Sequence, residues 1–283
     1  MFHDSFSFSR LSFFTYRPST CINFSPVCRI PSVVSPYLYS MSTESITPYG
    51  TGAEKKEQVA EMFDHIAPKY DLLNQVLSLG IHKGWRKKTV KKIAALKPKV
   101  VMDVATGTGD LAIEVVKQLN PEKVFGVDIS AGMMKLGAEK VKAKGLDKVI
   151  SFQLGDSENL PFENNTFDAV TVGFGVRNFA HLEVGMKGMY NALKPGGMLA
   201  VLEFSKPHKF PMKQLTSFYY KFILPLIGRM VSSDKRAYTY LPESIQAFPE
   251  GQAFLEVMKS TGFKDVKWQP LTFGVASIYI GTK

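Results

Sequence analysis

The sequence predicts an α/β protein in which helices cover both faces of a largely parallel, seven-stranded sheet. Short apolar runs alternate with amphipathic stretches from residue 51 onward, and such alternation requires the crossover connections that build parallel sheets. A glycine-rich turn separates the first strand from the helix that follows it. Only a short connection joins the last two strands, which predicts an antiparallel pair closing the sheet.

The predicted elements follow in order along the chain. Residues 51–54 match a capping box for a helix that carries apolar residues at spacings of three and four. A second helix covers residues 83–96 and stops before Pro98. Further helices are predicted at residues 110–119, 131–143, 182–193 and 251–260, and strands at 100–104, 123–127, 149–154, 169–172, 198–203, 264–269 and 274–280.

The composition is that of an ordinary globular protein. Of 283 residues, 45% are hydrophobic and 21% are charged, which argues against a disordered chain and a polytopic membrane protein. No stretch reaches the roughly 18 uninterrupted apolar residues that predict a spanning helix. The net charge of +10 favours contact with an anionic partner, such as nucleic acid, an acidic membrane surface or a charged ligand.

Residues 1–40 differ from the rest in being rich in Ser, Phe and Pro and poor in acidic residues. Two interpretations remain open: an organellar transit peptide, or an upstream extension before a true start at Met41. Either way this segment is expected to be disordered and separate from a domain at residues 41–283. Both cysteines, Cys21 and Cys28, lie in it, so the domain has no disulfide, cysteine-ligated metal site or thiol nucleophile; no metal site is predicted.

The glycine-rich turn, in VMDVATGTGDLA at residues 101–112, predicts a nucleotide cofactor close to the backbone. Gly107, Gly109 and Ala112 also satisfy a loose dinucleotide fingerprint. Asp110, however, stands at the helix N-terminus, where its charge would repel a pyrophosphate. A positively charged cofactor without phosphate tolerates carboxylates there, and S-adenosylmethionine is such a molecule.

Further polar residues follow the strands that come after the glycine turn. Asp128 ends a strand about 20 residues on, where a carboxylate can accept both hydroxyls of a ribose. Its alternative role is a helix N-cap, which Ser130 can fill instead. Asp156 and Ser157 follow the next strand and are candidates to contact an adenine ring. Asp103, within the first strand, is expected to support the turn from beneath.

Several longer stretches carry a resemblance to a known family. The chain resembles class I S-adenosylmethionine-dependent methyltransferases, and from about Glu57 to Lys283 it closely resembles the ubiquinone and menaquinone biosynthesis C-methyltransferases. The acidic glycine turn and the ribose carboxylate carry the broader resemblance. The other stretches that carry it are LKPGG (193–197), KYDLLNQVLSLGIHKGWRK from Lys69, LPFENNTFDAVTVGFGVRN from Leu160, VLEFSKP from Val201 and YTYLPESIQAFP from Tyr238.

The resemblance implies a Rossmann-like fold and C-methylation of a prenylated quinol ring by S-adenosylmethionine. Demethylmenaquinol, methylated to menaquinol, is the expected substrate, and 2-methoxy-6-polyprenyl-1,4-benzoquinol of ubiquinone biosynthesis is the alternative. At Gly173 the family often has Ser, so a side-chain contact is lost there. The family's cofactor contacts carry over onto Gly107, Thr108 and Gly109 in the turn, Asp128 at the ribose, and Asp156 with Ser157 near the adenine.

The expected chemistry requires that a substrate hydroxyl lose its proton before the ring carbon attacks the methyl group. Arg177, in FGVRN, resembles the family arginine beside the substrate, and a permanently protonated guanidinium stabilises an oxyanion or polarises a water. Tyr70, His65 and Asp71 are candidates for moving the proton. Arg177 and Tyr70 are the predicted catalytic residues.

Residues 210–231 are the most apolar part of the chain, but Lys213 and Lys221 interrupt them. This segment is predicted to form either a pair of helices in the core or a cap over the active site that admits an apolar substrate. In the second interpretation, helices within residues 54–96 and an insert at 205–248 together form the substrate cap.

Alternative functions remain open on the sequence. A nucleic-acid methyltransferase is disfavoured because the domain has no cysteine nucleophile and no Asn/Asp-Pro-Pro-aromatic motif. A scaffold without chemistry and a nicotinamide dehydrogenase are further alternatives. The expected setting is the cytoplasm with peripheral membrane contact, or the mitochondrial matrix side of the inner membrane if residues 1–40 are a transit peptide. A homodimer is a further expectation.

Overall fold

The computed structural model describes residues 45–226 and 235–283. The leader predicted at residues 1–40 lies outside the described residues, as does the end of the apolar stretch at 227–231. Within the described ranges, one sheet of seven strands is flanked by helices. No helix in these ranges is long and apolar enough to cross a bilayer.

The elements are numbered here in chain order. The helices are α1 Lys55–Ile66, α2 Tyr70–Leu77, α3 Ile81–Ile93, α4 Asp110–Leu119, α5 Ala131–Ala143, α6 Leu182–Ala192, α7 Met212–Phe218, α8 Lys235–Ala247 and α9 Gln252–Ser260. The strands are β1 Val100–Val104, β2 Lys123–Asp128, β3 Ile150–Leu154, β4 Phe167–Gly173, β5 Leu193–Phe204, β6 Lys264–Leu271 and β7 Ala276–Thr282. A π-helical turn, Tyr219–Ile223, continues α7.

The strand order across the sheet is β3-β2-β1-β4-β5-β7-β6. Strands β1 to β5 pair in parallel, whereas β7 runs antiparallel to both β5 and β6. The predicted fold class is therefore confirmed. Because the chain moves outward from β1 to β3 and then returns to β4, a crevice opens beyond the carboxyl ends of β1 and β4, where open α/β sheets bind ligands.

Alternation along β1 explains why both faces of the sheet are covered. Val101 packs into one buried cluster with Val90 of α3 and Val115 of α4. Its neighbour Met102 points to the opposite face and joins a second cluster that contains Met186 of α6. Because successive side chains of a strand point to opposite faces, a strand buried on both sides is apolar at nearly every position, as the sequence of β1 is.

The start of α1 differs from the prediction. The helix begins at Lys55, and Glu54 in the N-cap position makes no side-chain capping hydrogen bond, so the capping box is wrong. Gln58 instead contacts the segment before the helix. Its Oε1 accepts hydrogen bonds from the backbone N–H groups of Tyr49, at 2.9 Å, and Gly50, at 3.0 Å. A side chain from the first turn of the helix thus holds the incoming chain.

Three other elements also differ from the prediction. Helix α8 is absent from the predicted helices. Helix α2 has no counterpart in the sequence analysis; a 3₁₀ turn over Ala67–Lys69, which contains Pro68, separates it from α1. Strand β5 begins at Leu193 rather than at residue 198, because Leu193 pairs with Phe167 of β4 before an irregularity in the register. The LKPGG stretch therefore forms the start of a strand.

Candidate active site

Two depressions adjoin at the carboxyl edge of the parallel strands. The first, the crevice, lies over the ends of β1 to β4 and is lined by Gly107, Asp128 and Asp156 among others. The second, the cavity, is about 610 Å³ in volume and is lined mainly by apolar side chains from α1, α2, α3, the α7 region and α8. The two depressions share three lining residues, which are Phe63, Tyr70 and Phe174.

The glycine turn is held in shape by a buried carboxylate beneath it. Asp103 of β1 accepts hydrogen bonds from the hydroxyl groups of Thr106, at 2.7 Å, and Thr171, at 2.6 Å. Burial raises the pKa of Asp103 to about 6. The hypothesis that Asp103 supports the turn is confirmed, and its side chain has no direct access to the crevice because it is 1% exposed.

Gly107 brings the backbone to the floor of the crevice. Its φ is +56°, a left-handed conformation that glycine adopts without steric cost. A Cβ atom at this position would meet only the ring edge of Tyr70, at 3.9 Å, so the space above the backbone is open toward the crevice.

Asp128 stands at the end of β2, on the wall of the crevice. Its Oδ2 accepts a hydrogen bond from the Gly107 backbone N–H at 2.7 Å, and its Oδ1 accepts one from the Ser130 N–H at 2.9 Å. Ser130 caps α5 by accepting from the Met133 N–H, so Asp128 is not the helix cap. An ionised carboxylate offers about four acceptor positions, which leaves two of them for a ligand. Burial raises the pKa of Asp128.

Asp156 and Ser157 line the same crevice after β3. The Oδ1 atom of Asp156 accepts a hydrogen bond from the backbone N–H of Glu158 at 2.9 Å, which orients the carboxylate. Gly173 at the end of β4 also lines the crevice; a Cβ there would lie 3.2 Å from the side chain of Leu111. The sheet thus brings the ends of four parallel strands to one site.

Thr108 and Gly109, in contrast, do not line the crevice. The hydroxyl of Thr108 donates to Asp71 Oδ1 at 2.7 Å and accepts from Lys140 Nζ at 2.8 Å. A Cβ on Gly109 would lie 2.8 Å from the ring of Phe152, so this glycine serves close packing within the fold.

Asp110 is likewise engaged away from the crevice. Its carboxylate pairs with Arg86 at 2.8 Å and with Lys140 at 2.9 Å. These cations offset the charge on which the sequence argument against a pyrophosphate relied. The carboxylates that line the crevice are instead those of Asp128, Asp156 and Glu158.

Arg177 lies on the wall of the cavity in a buried ion pair. Its Nη1 is 2.8 Å from Oε1 of Glu203, a side chain with no solvent exposure, and also donates to the Phe174 carbonyl. The guanidinium carbon lies 5.4 Å from the centroid of the Phe204 ring. The Nε of Arg177 is buried without a hydrogen-bond partner among the described residues. Glu203 carries no assigned role in the sequence analysis, although it lies in the VLEFSKP stretch.

Tyr70 stands at the junction of the two depressions, and its ring meets that of Phe63 edge to face at 6.1 Å between centroids. Burial raises the pKa of the Tyr70 phenol, so it stays protonated near neutral pH. The structure does not bring the other two proton-transfer candidates to either depression. His65 is exposed beside the Tyr49 hydroxyl, at 3.3 Å, and Asp71 pairs with Lys140 at 2.5 Å.

His82 also lines the cavity, as Arg177 does. The sequence analysis assigns it no role, although it lies in the LGIHKGWRK stretch. A single histidine on a helix carries no spacing signal, so only its position in the fold distinguishes it from a structural residue.

The comparisons with known proteins agree with this geometry. The sequence profile of the ubiE/COQ5 methyltransferase family matches residues 51–283. A demethylmenaquinone methyltransferase of Bacteroides fragilis is 48% identical over 240 residues, covering 85% of this chain and 98% of the relative. A ubiquinone/menaquinone biosynthesis C-methyltransferase of Geotalea daltonii is 43% identical over 231 residues, covering 81% of this chain and 98% of the relative.

Solved structures agree in fold. A SAM-dependent methyltransferase of Thermotoga maritima superposes with a TM-score of 0.55 at 17% identity, covering 79% of this chain and 99% of the other. At that identity the likeness shows the fold alone. The family match, in contrast, extends over most of the chain and confirms the resemblance that the sequence motifs indicate. The chain belongs to the ubiE/COQ5 methyltransferase family.

Proposed function

We propose that this protein methylates a ring carbon of a prenylated quinol with S-adenosylmethionine, and that demethylmenaquinol is its substrate. The main support is that two depressions meet at Tyr70. The crevice, with the Asp128 carboxylate at the end of β2, adjoins an apolar cavity of about 610 Å³ there. The polar crevice suits a nucleoside, and the apolar cavity suits a prenylated quinol. The two sites adjoin, so the reacting groups of both molecules can meet.

The residues of the crevice fit the proposed cofactor. The two acceptor positions left on Asp128 suit the two hydroxyls of a ribose, while Asp156 and Ser157 suit an adenine edge. The Gly107 backbone allows close approach. Thr108, which the family resemblance also implicates, would contribute only through its backbone, because Asp71 and Lys140 occupy its hydroxyl. When bound, this cofactor supplies an electrophilic methyl group on a sulfonium.

The chain's own contribution is to hold the quinol, exclude water and stabilise negative charge. A quinol carbon becomes nucleophilic when an adjacent hydroxyl loses its proton, and the resulting oxyanion needs a fixed positive partner. Arg177 supplies that charge, and its ion pair with Glu203 holds the guanidinium in place. Tyr70, as a phenol, can hydrogen-bond the same oxygen. The apolar walls keep bulk water away, which strengthens these interactions.

The substrate cap, in this proposal, consists of the N-terminal helices and the insert after β5. Side chains from α1, α2, α3, α7 and α8 line the cavity, which supports the prediction that residues 54–96 and 205–248 cover the substrate. The elements of the cap carry exposed apolar side chains, here called the apolar rim, each between 46% and 84% accessible. These are Leu79, Ile81, Phe210, Leu215, Phe218 and Phe222. Leu79, Ile81 and Leu215 among them also line the cavity.

Exposed lysines stand beside this apolar rim. Lys209, Lys213 and Lys221 lie within or next to the insert. Apolar side chains flanked by cations are typical of surfaces that insert shallowly into an anionic membrane. We therefore include peripheral contact with a membrane leaflet, on the cytoplasmic side, in the proposal, since a prenylated quinol resides in the lipid phase.

The test is methyl transfer from labelled S-adenosylmethionine to two quinols assayed in parallel. We expect incorporation into demethylmenaquinol, with slower or no incorporation into 2-methoxy-6-polyprenyl-1,4-benzoquinol. The reverse preference would assign the protein to the ubiquinone branch. Donor binding measured by calorimetry with S-adenosylhomocysteine, together with no transfer to either quinol, would refute the proposal.

A further inference from the structure

The reaction proposed above needs a group that takes the proton of the substrate hydroxyl. Arg177 is permanently protonated and paired with Glu203, and burial keeps Tyr70 a phenol near neutral pH. His65 and Asp71 line neither depression. The candidates from the sequence therefore leave the role of proton acceptor open. The inference that follows rests on the proposed function.

His82 lies in the first turn of α3, is 5% exposed and lines the cavity together with Tyr70 and Arg177. Trp85, one turn further along α3, meets the Phe204 ring edge to face at 6.3 Å between centroids. That same ring lies 5.4 Å from the guanidinium carbon of Arg177. One aromatic ring thus connects the helix that carries His82 with the cation proposed to stabilise the oxyanion.

The hydrogen bonds around His82 determine its tautomer. The Ser78 hydroxyl donates to the Asn74 carbonyl at 2.6 Å, and a carbonyl oxygen can only accept. A hydroxyl has one proton, so in the contact between Ser78 Oγ and His82 Nδ1 the serine must accept and the imidazole must donate. In a neutral ring, Nε2 is then the unprotonated nitrogen.

Nε2 of His82 is free to act on a ligand. It makes no hydrogen bond within residues 45–226 and 235–283. It is also not one of the fully buried atoms of these residues, so part of its surface is exposed. The His82 side chain lines the cavity, and we infer that this nitrogen is the part of the ring that faces it. An imidazole with a bare, cavity-accessible nitrogen is the arrangement that a general base requires.

The charges around His82 favour its neutral form. Burial, assisted by Arg86 one turn along the helix, lowers the pKa of His82 to about 4. Lys83 acts in the same direction, while the carboxylates of Asp110 on α4 and Asp71 on α2 oppose it. The guanidinium of Arg177, paired with Glu203, also lines the cavity. The imidazole therefore enters the reaction without a proton on Nε2 across the neutral range.

We propose that Nε2 of His82 accepts the proton that the quinol hydroxyl loses, and that Ser78 is the positioning residue that holds the imidazole in this tautomer. The hydroxyl O–H bond breaks, its proton moves to Nε2, and its electron pair stays on the oxygen, from which it delocalises into the ring. The ring carbon would use this electron density to form a bond to the methyl group of the donor, and the electron pair of the broken sulfur–methyl bond would pass to sulfur. The methylated carbon loses its own proton to water, and the imidazolium returns the first proton to the oxygen.

The kinetic test compares His82→Asn with His65→Asn. Asparagine retains a donor toward Ser78 but is no base, and His65 is an exposed histidine outside both depressions. We expect His82→Asn to lower kcat on demethylmenaquinol by about 100-fold or more, as loss of a general base does, with affinity for S-adenosylhomocysteine unchanged. The residual kcat of His82→Asn should rise about tenfold per pH unit from pH 6 to 9, because the quinol must then ionise without a base. The kcat of wild type and of His65→Asn should not change with pH over this range.

A second measurement needs no turnover. The chain has five histidines, so ¹⁵N imidazole spectra of labelled protein identify His82 by the signals that His82→Asn loses. We expect a neutral ring protonated at Nδ1 between pH 6 and 8. In Ser78→Ala the ring should lose this preference, and kcat should fall about tenfold with KM unchanged.

The outcomes separate the two proposals. A wild-type ring protonated at Nε2, or a His82→Asn enzyme with normal kcat and a flat pH profile, overturns the role of His82 alone. Wild-type enzyme that carries the expected tautomer and binds S-adenosylhomocysteine, but methylates neither quinol, overturns the proposed function and with it the role of His82.

Discussion

Three buried carboxylates near the site differ in role because their partners differ. Burial raises the pKa of Asp103, Asp128 and Glu203 alike. Asp103 binds two hydroxyls of the scaffold and supports the turn. Asp128 binds two backbone N–H groups and keeps acceptor positions that face the crevice. Glu203 holds a guanidinium. At the scale of single residues, the partner rather than the residue type determines which carboxylate can meet a ligand.

Asp128→Ala should weaken binding of S-adenosylhomocysteine by about 100-fold, because two hydrogen bonds to a charged group are lost at roughly 1.5 kcal/mol or more each. Isothermal calorimetry measures the affinity, and circular dichroism checks that the fold persists. Asp110→Ala is the matched control: its carboxylate is engaged by Arg86 and Lys140, so donor affinity should stay within about threefold. Equal losses in both variants would contradict the ribose assignment.

The ion pair of Arg177 and Glu203 should behave as a buried pair. Glu203→Leu leaves a buried cation unpaired and should lower the free energy of unfolding by about 3–5 kcal/mol in urea titrations. The double variant Arg177→Leu/Glu203→Leu should recover much of this stability, since an apolar pair avoids the desolvation cost.

The same double variant separates stability from catalysis. We expect it to bind S-adenosylhomocysteine normally and to have kcat lowered by about 100-fold or more, because no cation remains beside the oxyanion. Normal turnover in the double variant would show that the pair serves the fold only. Arg177→Ala alone should likewise lower turnover more than donor binding.

At the scale of elements, the glycine turn between β1 and α4 depends on two kinds of constraint. Gly107 and Gly109 both have positive φ, at +56° and +77°. At Gly107 the space beyond the backbone is open toward the crevice, whereas at Gly109 the ring of Phe152 on β3 occupies it. The first glycine permits approach of a ligand, and the second permits approach of a neighbouring strand.

Gly109→Ala should therefore cost more stability than Gly145→Ala. Both positions are left-handed, at φ +77° and +68°, so both variants carry strain of about 1 kcal/mol. Only Gly109→Ala adds overpacking, because its Cβ would lie 2.8 Å from Phe152 while nothing lies within 4 Å at Gly145. We expect a further loss of about 1–3 kcal/mol in chemical denaturation. Equal losses would mean that the ring moves aside freely.

At the scale of the whole molecule, most of the elements that line the cavity lie outside the α/β core motif, although Phe204 of β5 and Arg177 after β4 also line it. Helices α1 to α3 precede β1, and α7 and α8 lie between β5 and β7. The parallel strands provide the crevice, and these added segments provide the apolar cavity and its exposed rim. A common scaffold thereby gains a surface for a lipid-borne substrate.

Phe218→Glu together with Phe222→Glu should reduce binding to anionic liposomes by about tenfold or more, because two exposed rings on the rim can no longer enter the lipid. Rising salt should also weaken the binding of wild-type protein in pelleting assays, because it screens the charges of the exposed side chains of Lys209, Lys213 and Lys221. The control is Val184→Glu, an exposed apolar residue of α6, which lies outside the segments that form the cap. Unchanged pelleting of the phenylalanine variant would remove the rim from the proposal.

The sequence alone determined the order and type of nearly all the elements, the glycine turn and the strand-end position of Asp128, because these depend on local periodicity and on the meeting of parallel strand ends at one edge. It could not determine where polar side chains point. Thr108 and Asp110 are turned from the crevice by Asp71, Arg86 and Lys140, which lie on three other helices.

Only the tertiary structure decided which residues share the cavity. His82 comes from a helix before β1, and Arg177 follows β4, so their common exposure to one cavity has no local signature in the chain. The tautomer of His82 is set by shorter-range contacts, in which Asn74, Ser78 and His82 follow one another at spacings of four residues across the turn between α2 and α3. The composition of the cavity depends on contacts between distant segments, because packing, not periodicity, sets the direction of each side chain.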